Sequence, residues 1–212
     1  MITLHHLNNS KSQRIVWLLE ELGLEYELVH HTREPTLQAP EEMKKYHPLG
    51  KSPIIDIDGH VMAESGAVVE YIVHRFGEGR LMPDPLSDDY AHYLEMLHYP
   101  EGSANTPFFL GLITAAFGMD GSPLDEYAKQ QRALHLGYID GLLESQDYLV
   151  GNAFTAADIQ LTFILQGARA RGYLDDHPRL VAYIERMEAR PAYKAGIDRG
   201  GPFDLSLNRP GG

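Results

Sequence analysis

Residues 2–23 read ITLHHLNNSKSQRIVWLLEELG, and this stretch combines the two periodicities that organise the first part of the chain. Its opening residues, 2–6, form a short run typical of a strand. Apolar side chains then recur at helical spacing, at Ile15, Leu18, Leu19 and Leu22. Gly23 follows them, where helices often end in the left-handed conformation. The stretch predicts a strand, a short loop and a helix.

Strand and helix patterns continue to alternate up to about residue 80. Residues 26–30 predict a second strand and residues 41–46 a short helix. Residues 54–62 predict a hairpin that turns at an Asp-Gly pair, and residues 65–76 predict a helix. The first module is therefore β-α-β-α-β-β-α, an order that buries a small sheet between helices.

No strand alternation is evident beyond a stretch rich in Gly and Pro, residues 77–89. We place the linker at residues 80–89, between an α/β domain at 1–79 and an all-helical domain at 90–212. Helices are predicted at residues 90–98, 106–117, 124–149, 155–171, 178–189 and 192–198. The tail from residue 200 is predicted to be irregular.

Composition excludes several classes of function. The 212 residues carry a net charge of −12, which disfavours non-specific binding to nucleic acid and to anionic membranes. The chain has no cysteine, so disulfides, thiolate metal sites and a protein sulfur nucleophile are excluded. No signal-peptide pattern is visible at the N-terminus and no apolar run approaches about 20 residues, so we predict a soluble, cytoplasmic protein.

Two serines lie between the first strand and the first helix. Ser10 or Ser12 could simply cap the helix, because a hydroxyl there accepts a backbone N–H. Alternatively, Ser10 donates to a ligand anion, which the helix macrodipole also favours. The spacing does not separate these two interpretations.

Two further patterns could bind a small peptide-like ligand. Pro53 comes immediately before the third strand, and a cis Ser52–Pro53 bond would leave the backbone of Ser52 free to pair with an extended peptide. A proline that merely begins a strand is the alternative. At the next helix, Ser65 could hold a carboxylate and Glu64 an ammonium group, or the pair could only cap the helix.

The remaining candidates are histidines and aromatic side chains. His5-His6 and His30-His31 are adjacent pairs whose members face opposite sides of a strand, so we expect no bound metal. An aromatic set on the predicted helices fits either a helical core or the lining of a pocket: Tyr90, Tyr93, Tyr99, Phe108, Phe109 and Phe117.

Taken together, the module order, the X-Pro before the third strand and the Glu-Ser pair resemble the glutathione transferase family. The linker and the helical second half match as well, and residues 10–24 are particularly similar to bacterial and fungal members. Thr155 and Asp158 resemble the family's capping box at a core helix, with Asp in place of the usual Glu or Gln. The resemblance implies a thioredoxin-like N-terminal domain and an all-α C-terminal domain with a second-substrate pocket.

The resemblance also implies a role for individual residues. Ser10 stands at the position of the catalytic hydroxyl of serine-type members, and Asn9 is its rival. Ser52 would pair its backbone with the cysteinyl part of glutathione, beside a cis Pro53. Glu64 and Ser65 would hold the γ-glutamyl amino and carboxylate groups. Lys51 and His47 would approach the glycyl carboxylate.

The implied activity is transfer of glutathione to small hydrophobic electrophiles, as in detoxification. Glutathione is the cosubstrate, and no cofactor covalently bound to the protein is expected. A free thiol has a pKa of about 8.5 and is mostly protonated at pH 7. A hydroxyl donor and a helix N-terminus would lower this pKa, because both stabilise the thiolate. Glutathione-dependent reduction of peroxides or disulfides is an alternative that needs no protein cysteine. A non-enzymatic interaction module is another. The resemblance further implies a homodimer.

Overall fold

The computed structural model describes residues 1–201 and 203–204. Its strands are β1 (Ile2–Leu7), β2 (Glu27–His31), β3 (Ile54–Ile57) and β4 (His60–Ala63). Its α-helices are α1 (Ser12–Leu22), α2 (Ser65–Phe76), α3 (Asp89–Tyr99), α4 (Asn105–Ala116), α5 (Pro123–Leu142), α6 (Ala156–Arg169), α7 (Pro178–Glu188) and α8 (Pro191–Gly200). A 3₁₀ helix covers Glu41–Lys45, and a π-helical turn covers Pro100–Ala104. Among the described residues, no helix is long and apolar enough to cross a membrane.

The four strands form one mixed sheet in the order β2-β1-β3-β4. β1 runs parallel to β2, with Leu7 opposite His31, and antiparallel to β3, with His5 opposite Ile54. β4 returns beside β3, so Ala63 lies opposite Ile54. The end of β1, the start of β3 and the end of β4 consequently meet at one edge of the sheet. The sequence pattern predicted this α/β module, and the structure confirms it.

The two faces of β1 bury different partners, because successive side chains point to opposite sides of a strand. Leu7 packs with Met43 of the 3₁₀ helix and with Ile54. On α1, the predicted apolar face is buried, and Gly23 ends the helix with φ 63°. The expected helix is therefore present and ends at the glycine that the sequence indicated.

α8 packs against α1 within the first of two compact units, which comprises Met1–Met82 and Met187–Asp204. Two glycines allow this approach. A Cβ at Gly196 would lie 3.2 Å from the Trp17 backbone, and one at Gly200 would lie 2.4 Å from Gln13 Oε1. From the sequence, all of residues 90–212 were placed in one helical domain, because only helices are predicted there. In the structure, α8 belongs to the same compact unit as the sheet.

The second unit covers Pro83–Arg186 and contains helices without a strand among its described residues. The gap between the predicted helices 90–98 and 106–117 is occupied by the π-helical turn Pro100–Ala104, which joins α3 to α4. The predicted helix 124–149 was too long, since α5 ends at Leu142. Backbone N–H groups beyond it bond to side chains instead: Asp147 donates to Asn152 in the following loop, and Leu149 donates to Asp158 in the first turn of α6.

α6 begins with a complete capping box. Thr155 and Asp158 accept each other's backbone N–H groups, as the sequence predicted. The Asp158 side chain, fully buried, also accepts from Leu149 N–H at 3.0 Å and from the Tyr183 hydroxyl at 2.8 Å. The start of this helix is thus fixed by side chains of its own unit.

The tail was predicted to be irregular from residue 200, but Gly200 is the last residue of α8. Gly201 has φ 87°, a left-handed conformation that ends the helix. The rest of the predicted tail, residue 202 and residues 205–212, lies outside the described residues.

Candidate active site

A cluster of hydroxyl groups lies between β1 and α1. Ser10 Oγ lies 2.9 Å from Ser12 Oγ and 2.9 Å from Ser52 Oγ, and it donates to the Leu7 carbonyl at 2.7 Å. It also accepts the Ser12 N–H at 3.2 Å. The N-cap position itself belongs to Lys11, which makes no side-chain cap bond, so of the two interpretations left open by the sequence, the one in which a serine only caps the helix does not describe this turn.

His6 closes the inner end of this cluster. Its Nδ1 lies 2.9 Å from Ser12 Oγ, and its ring also bonds to the Gly200 backbone. Burial, with a smaller contribution from His30, lowers the His6 pKa to about 4. A neutral imidazole has a single N–H, and a backbone carbonyl such as that of Gly200 can only accept a hydrogen bond. We therefore assign the proton to Nε2, which leaves Nδ1 as the acceptor for the Ser12 hydroxyl.

Asn9, the rival to Ser10, occupies the turn just before it. Its φ of 49° is left-handed, a conformation that Asn tolerates better than most residues. The side-chain Oδ1 accepts the Asp204 N–H at 2.8 Å, beyond the end of α8. One part of the Asn9 side chain is therefore engaged in holding the chain after α8 against this turn.

Ser52 and Pro53 stand at the shared sheet edge, and the bond between them is cis, as the peptide-binding interpretation required. Neither the N–H nor the carbonyl of Ser52 bonds to any described residue. Sequence analysis assigned Ser52 only a backbone role. Its hydroxyl contact with Ser10, 42 residues away, was not predicted.

Glu64 and Ser65 lie at the same edge, because Ala63 pairs with Ile54. Glu64 is the N-cap of α2 and has φ 68° and ψ 107°, an unusual backbone conformation of the kind that clusters at ligand sites. Ser65 is the first residue of α2, and its hydroxyl bonds to no residue in the described part of the chain. The alternative in which this pair only caps the helix through a side chain is therefore not what the structure shows.

Lys51 and His47 are less closely integrated. Lys51 is exposed and forms no ion pair within the described residues. His47 Nδ1 is 3.4 Å from the Leu49 N–H, and the His47 carbonyl accepts from Gly50. Neither side chain forms a hydrogen bond to Ser10, Ser52 or Glu64.

The structure thus brings Ser10 and Ser52 into contact and places Glu64 and Ser65 at the same sheet edge. Sequence reasoning considered His6 only as a metal ligand and missed its bond to Ser12. No local signal marks that bond, since it depends on how the chain turns between β1 and α1. Within 1–201 and 203–204, no group of three or more metal-ligating side chains is present.

The aromatic set of the helical unit does not behave as one group. Tyr93 is fully buried and Phe108 nearly so, which makes them core residues. Phe109 and Phe117 are 56% and 74% exposed. Tyr99 donates to or accepts from His135 Nδ1 at 2.7 Å. Periodicity could not separate these positions, because core and surface alternate along one helix.

Comparison with known proteins agrees with this geometry. Residues 1–74 match the glutathione S-transferase N-terminal domain and residues 106–191 the C-terminal domain. Glutathione S-transferase 3 of Schizosaccharomyces pombe is 35% identical over 94% of this chain and 88% of its own.

Solved structures give the same result. A glutathione S-transferase from Actinobacillus pleuropneumoniae superposes with a TM-score of 0.89 at 36% identity, covering 99% of this chain and 96% of the other. A sphingomonad glutathione S-transferase, solved in complex with glutathione, has a TM-score of 0.79 at 25% identity, covering 94% and 98%. This chain belongs to the glutathione S-transferase family.

Proposed function

We propose that the chain is a glutathione transferase, which holds glutathione at the sheet edge and activates its thiol for attack on hydrophobic electrophiles. Membership of the family, shown by matches that cover most of the chain, supports this function. The single observation that carries it in the structure is the convergence of Ser10, Ser52 and the Glu64–Ser65 pair at one sheet edge.

Each part of the tripeptide has a partner in this proposal. The free N–H and carbonyl of Ser52 pair with the cysteinyl backbone. The Ser65 hydroxyl and the N–H groups at the start of α2 hold the γ-glutamyl carboxylate, and Glu64 holds its ammonium group. Exposed Lys51, with His47 beside it, meets the glycyl carboxylate.

Ser10 is the proposed donor to the thiolate. Its hydroxyl is preorganised by four polar contacts with Leu7, Ser12 and Ser52, and it needs only to turn its proton from Leu7 toward the sulfur. Because the chain has no cysteine, the reacting sulfur is that of the cosubstrate. Positioning the thiolate beside the electrophile supplies much of the remaining acceleration.

We propose further that the active form is a cytoplasmic homodimer. Apolar side chains on the sheet unit are exposed, including Tyr46, Leu49 and Val61, and dimer interfaces commonly cover such side chains. The cytosol maintains a reducing glutathione pool, which fits this cosubstrate. Light scattering should give about twice the chain mass of 23.8 kDa; the mass of one chain at micromolar concentration would contradict the dimer.

The test of function combines binding with three parallel assays. We expect calorimetry to detect glutathione binding below millimolar concentration. We expect turnover with an aryl halide to exceed turnover with cumene hydroperoxide or a mixed disulfide. Faster peroxide or disulfide reduction would reassign the chain to glutathione-dependent redox chemistry. Absence of glutathione binding would favour an interaction module.

A further inference from the structure

Arg33, in the loop after β2, contacts the turn that precedes Ser10. Its Nε donates to the Asn8 carbonyl at 3.1 Å and its Nη2 to the Asn9 carbonyl at 3.1 Å. Its backbone N–H donates to Asn8 Oδ1 at 2.8 Å, and Nη1 donates to the Leu37 carbonyl at 2.7 Å. One side chain therefore binds the carbonyls of both residues that lead into Ser10.

The contact follows from the strand register. β1 and β2 are parallel and end together, with Leu7 opposite His31. The residues that follow the two strands, Asn8–Asn9 and Thr32–Arg33, are therefore neighbours at the same sheet edge. Asn9 lies beyond the last paired residues of β1 and β2, and the guanidinium supplies a donor for its carbonyl.

The positive charge of Arg33 is not neutralised by a carboxylate. Among the described residues Arg33 forms no ion pair, and its side-chain bonds all go to neutral carbonyl oxygens. Burial lowers the pKa of the guanidinium, yet arginine stays protonated in proteins. A half-buried cation bound only to dipoles is unusual, and it is stabilised when an anion forms nearby.

The Asn9 carbonyl belongs to the same peptide group as the Ser10 N–H. A cation that bonds to the carbonyl polarises this group and strengthens its N–H as a donor. Within the described part of the chain, the Ser10 N–H donates to no acceptor. The turn thus presents a hydroxyl and a polarised, unused N–H from one residue.

We propose that Arg33 is a positioning residue for the thiolate centre: it holds the Asn8–Asn9 turn and places an unneutralised positive charge behind Ser10. This inference rests on the proposed function. Other charged groups at the turn are Lys11 in the turn, Glu34 beside Arg33 and Asp204 after α8, and buried His6 is neutral near pH 7. All four are unchanged in Arg33 variants, so a difference between variants reports on Arg33 alone.

The experiment titrates the thiol of bound glutathione by its ultraviolet thiolate absorbance in the full chain. We expect Arg33→Met and Arg33→Gln to raise the pKa of the bound thiol by about one unit, because an opposite charge has been removed. The same variants should lower kcat/KM by up to about tenfold at pH 6.5 and much less above the new pKa. Arg33→Lys keeps the charge and should give an intermediate pKa.

Arg80 provides a matched control in the same unit. Its guanidinium also donates to backbone carbonyls, those of Gly77 and Leu22, but away from Ser10. Arg80→Met should leave the thiol pKa unchanged. Binding of S-methylglutathione, which has no ionisable thiol, should change less than about twofold in the Arg33 variants. A merely structural clamp would weaken this ligand as much as glutathione and leave the thiol pKa where it was.

The outcomes separate the inference from the proposed function. If the wild-type chain binds no glutathione, or binds it with an unshifted thiol pKa, the proposed function fails and the inference fails with it. Suppose that the wild type lowers the pKa of the glutathione thiol relative to free glutathione. If glutathione bound to Arg33→Gln and Arg33→Met then has the same thiol pKa as in the wild type, only the inference is overturned. An Arg33→Lys pKa equal to that of Arg33→Gln would also overturn it. Should Arg33→Met not fold, Arg33→Gln, which keeps a donor for one carbonyl, decides the question.

Discussion

The helix starts of the two units are built in opposite ways. α6 begins with a capping box in which the Asp158 carboxylate accepts from Thr155, Leu149 and Tyr183. α1 and α2 begin without any side-chain cap bond, and α2 follows a residue with φ 68°. Capping groups at the start of α6 are used for stability, whereas the first N–H groups of α2 remain available for a ligand. At the start of α1, the Ser12 and Gln13 N–H groups both bond to Ser10, which carries the hydroxyl proposed to meet the ligand.

The largest effect should come from removing the cap of α6. Asp158→Ala leaves two buried N–H groups and a buried tyrosine hydroxyl without their acceptor, so we expect the free energy of unfolding to fall by about 3 kcal/mol. Chemical denaturation measures this loss, and Asp158→Asn, which keeps an acceptor oxygen, should lose less. In the folded fraction of Asp158→Ala, the thiol of bound glutathione should have the same pKa as in the wild type. A shifted pKa would contradict the contrast between the helix starts.

Acid should act on the start of α1 through His6. The His6 pKa is about 4 in the folded chain because of burial, against 6.5 for a free side chain. Between these pH values the unfolded chain binds a proton that the folded chain does not, so stability is complete above pH 6.5 and falls as the pH approaches 4. From pH 7 to pH 4.5 we expect the wild type to lose about 2 kcal/mol more than His6→Gln in urea titrations. Equal losses would show that His6 is not buried in its neutral form.

Removing the proposed thiolate donor should affect activity more than stability. Ser10→Ala is expected to lower kcat/KM at least about tenfold, which is roughly 1.4 kcal/mol of transition-state stabilisation. Steady-state kinetics with an aryl halide measures this, with Asn9→Ala in parallel. An active Ser10→Ala beside an inactive Asn9→Ala would transfer the role to Asn9.

The smallest effect is expected at α2. Ser65→Ala should raise the glutathione Kd about fivefold, about 1 kcal/mol, because one hydrogen bond to a carboxylate is lost. The melting temperature should not change, since the Ser65 hydroxyl has no partner among the described residues. Calorimetry measures both quantities. A lower melting temperature of Ser65→Ala with an unchanged glutathione Kd would make Ser65 a structural residue and weaken the comparison.

Local pattern predicted most of the elements, because the apolar spacing of α1 and the Asp-Gly turn of the hairpin depend on neighbouring residues. Asp58 and Gly59 have φ of 54° and 86°, as a tight hairpin turn requires. The length of α5 was not predicted. Its end depends on loop side chains such as Asn152 that take the backbone N–H groups from the helix.

The candidate site was predictable only in part. Ser10, Ser52 and Glu64–Ser65 were found as separate patterns, and their meeting at one edge follows from the strand order. The Ser52 hydroxyl contact and the Arg33 clamp were missed, because both join residues more than 20 positions apart. Arg33 had an available signal: parallel strands that end together bring their following loops side by side.

The bond between Ser10 and Ser52 spans 42 residues and crosses from the β1–α1 loop to the residue before the cis proline. It cannot form in a partly denatured state that keeps its helices but has lost the pairing of β1 with β3. Recovery of enzyme turnover during renaturation therefore reports on sheet registration, whereas far-ultraviolet circular dichroism, dominated by the helical content, would return earlier and overstate the yield of competent molecules.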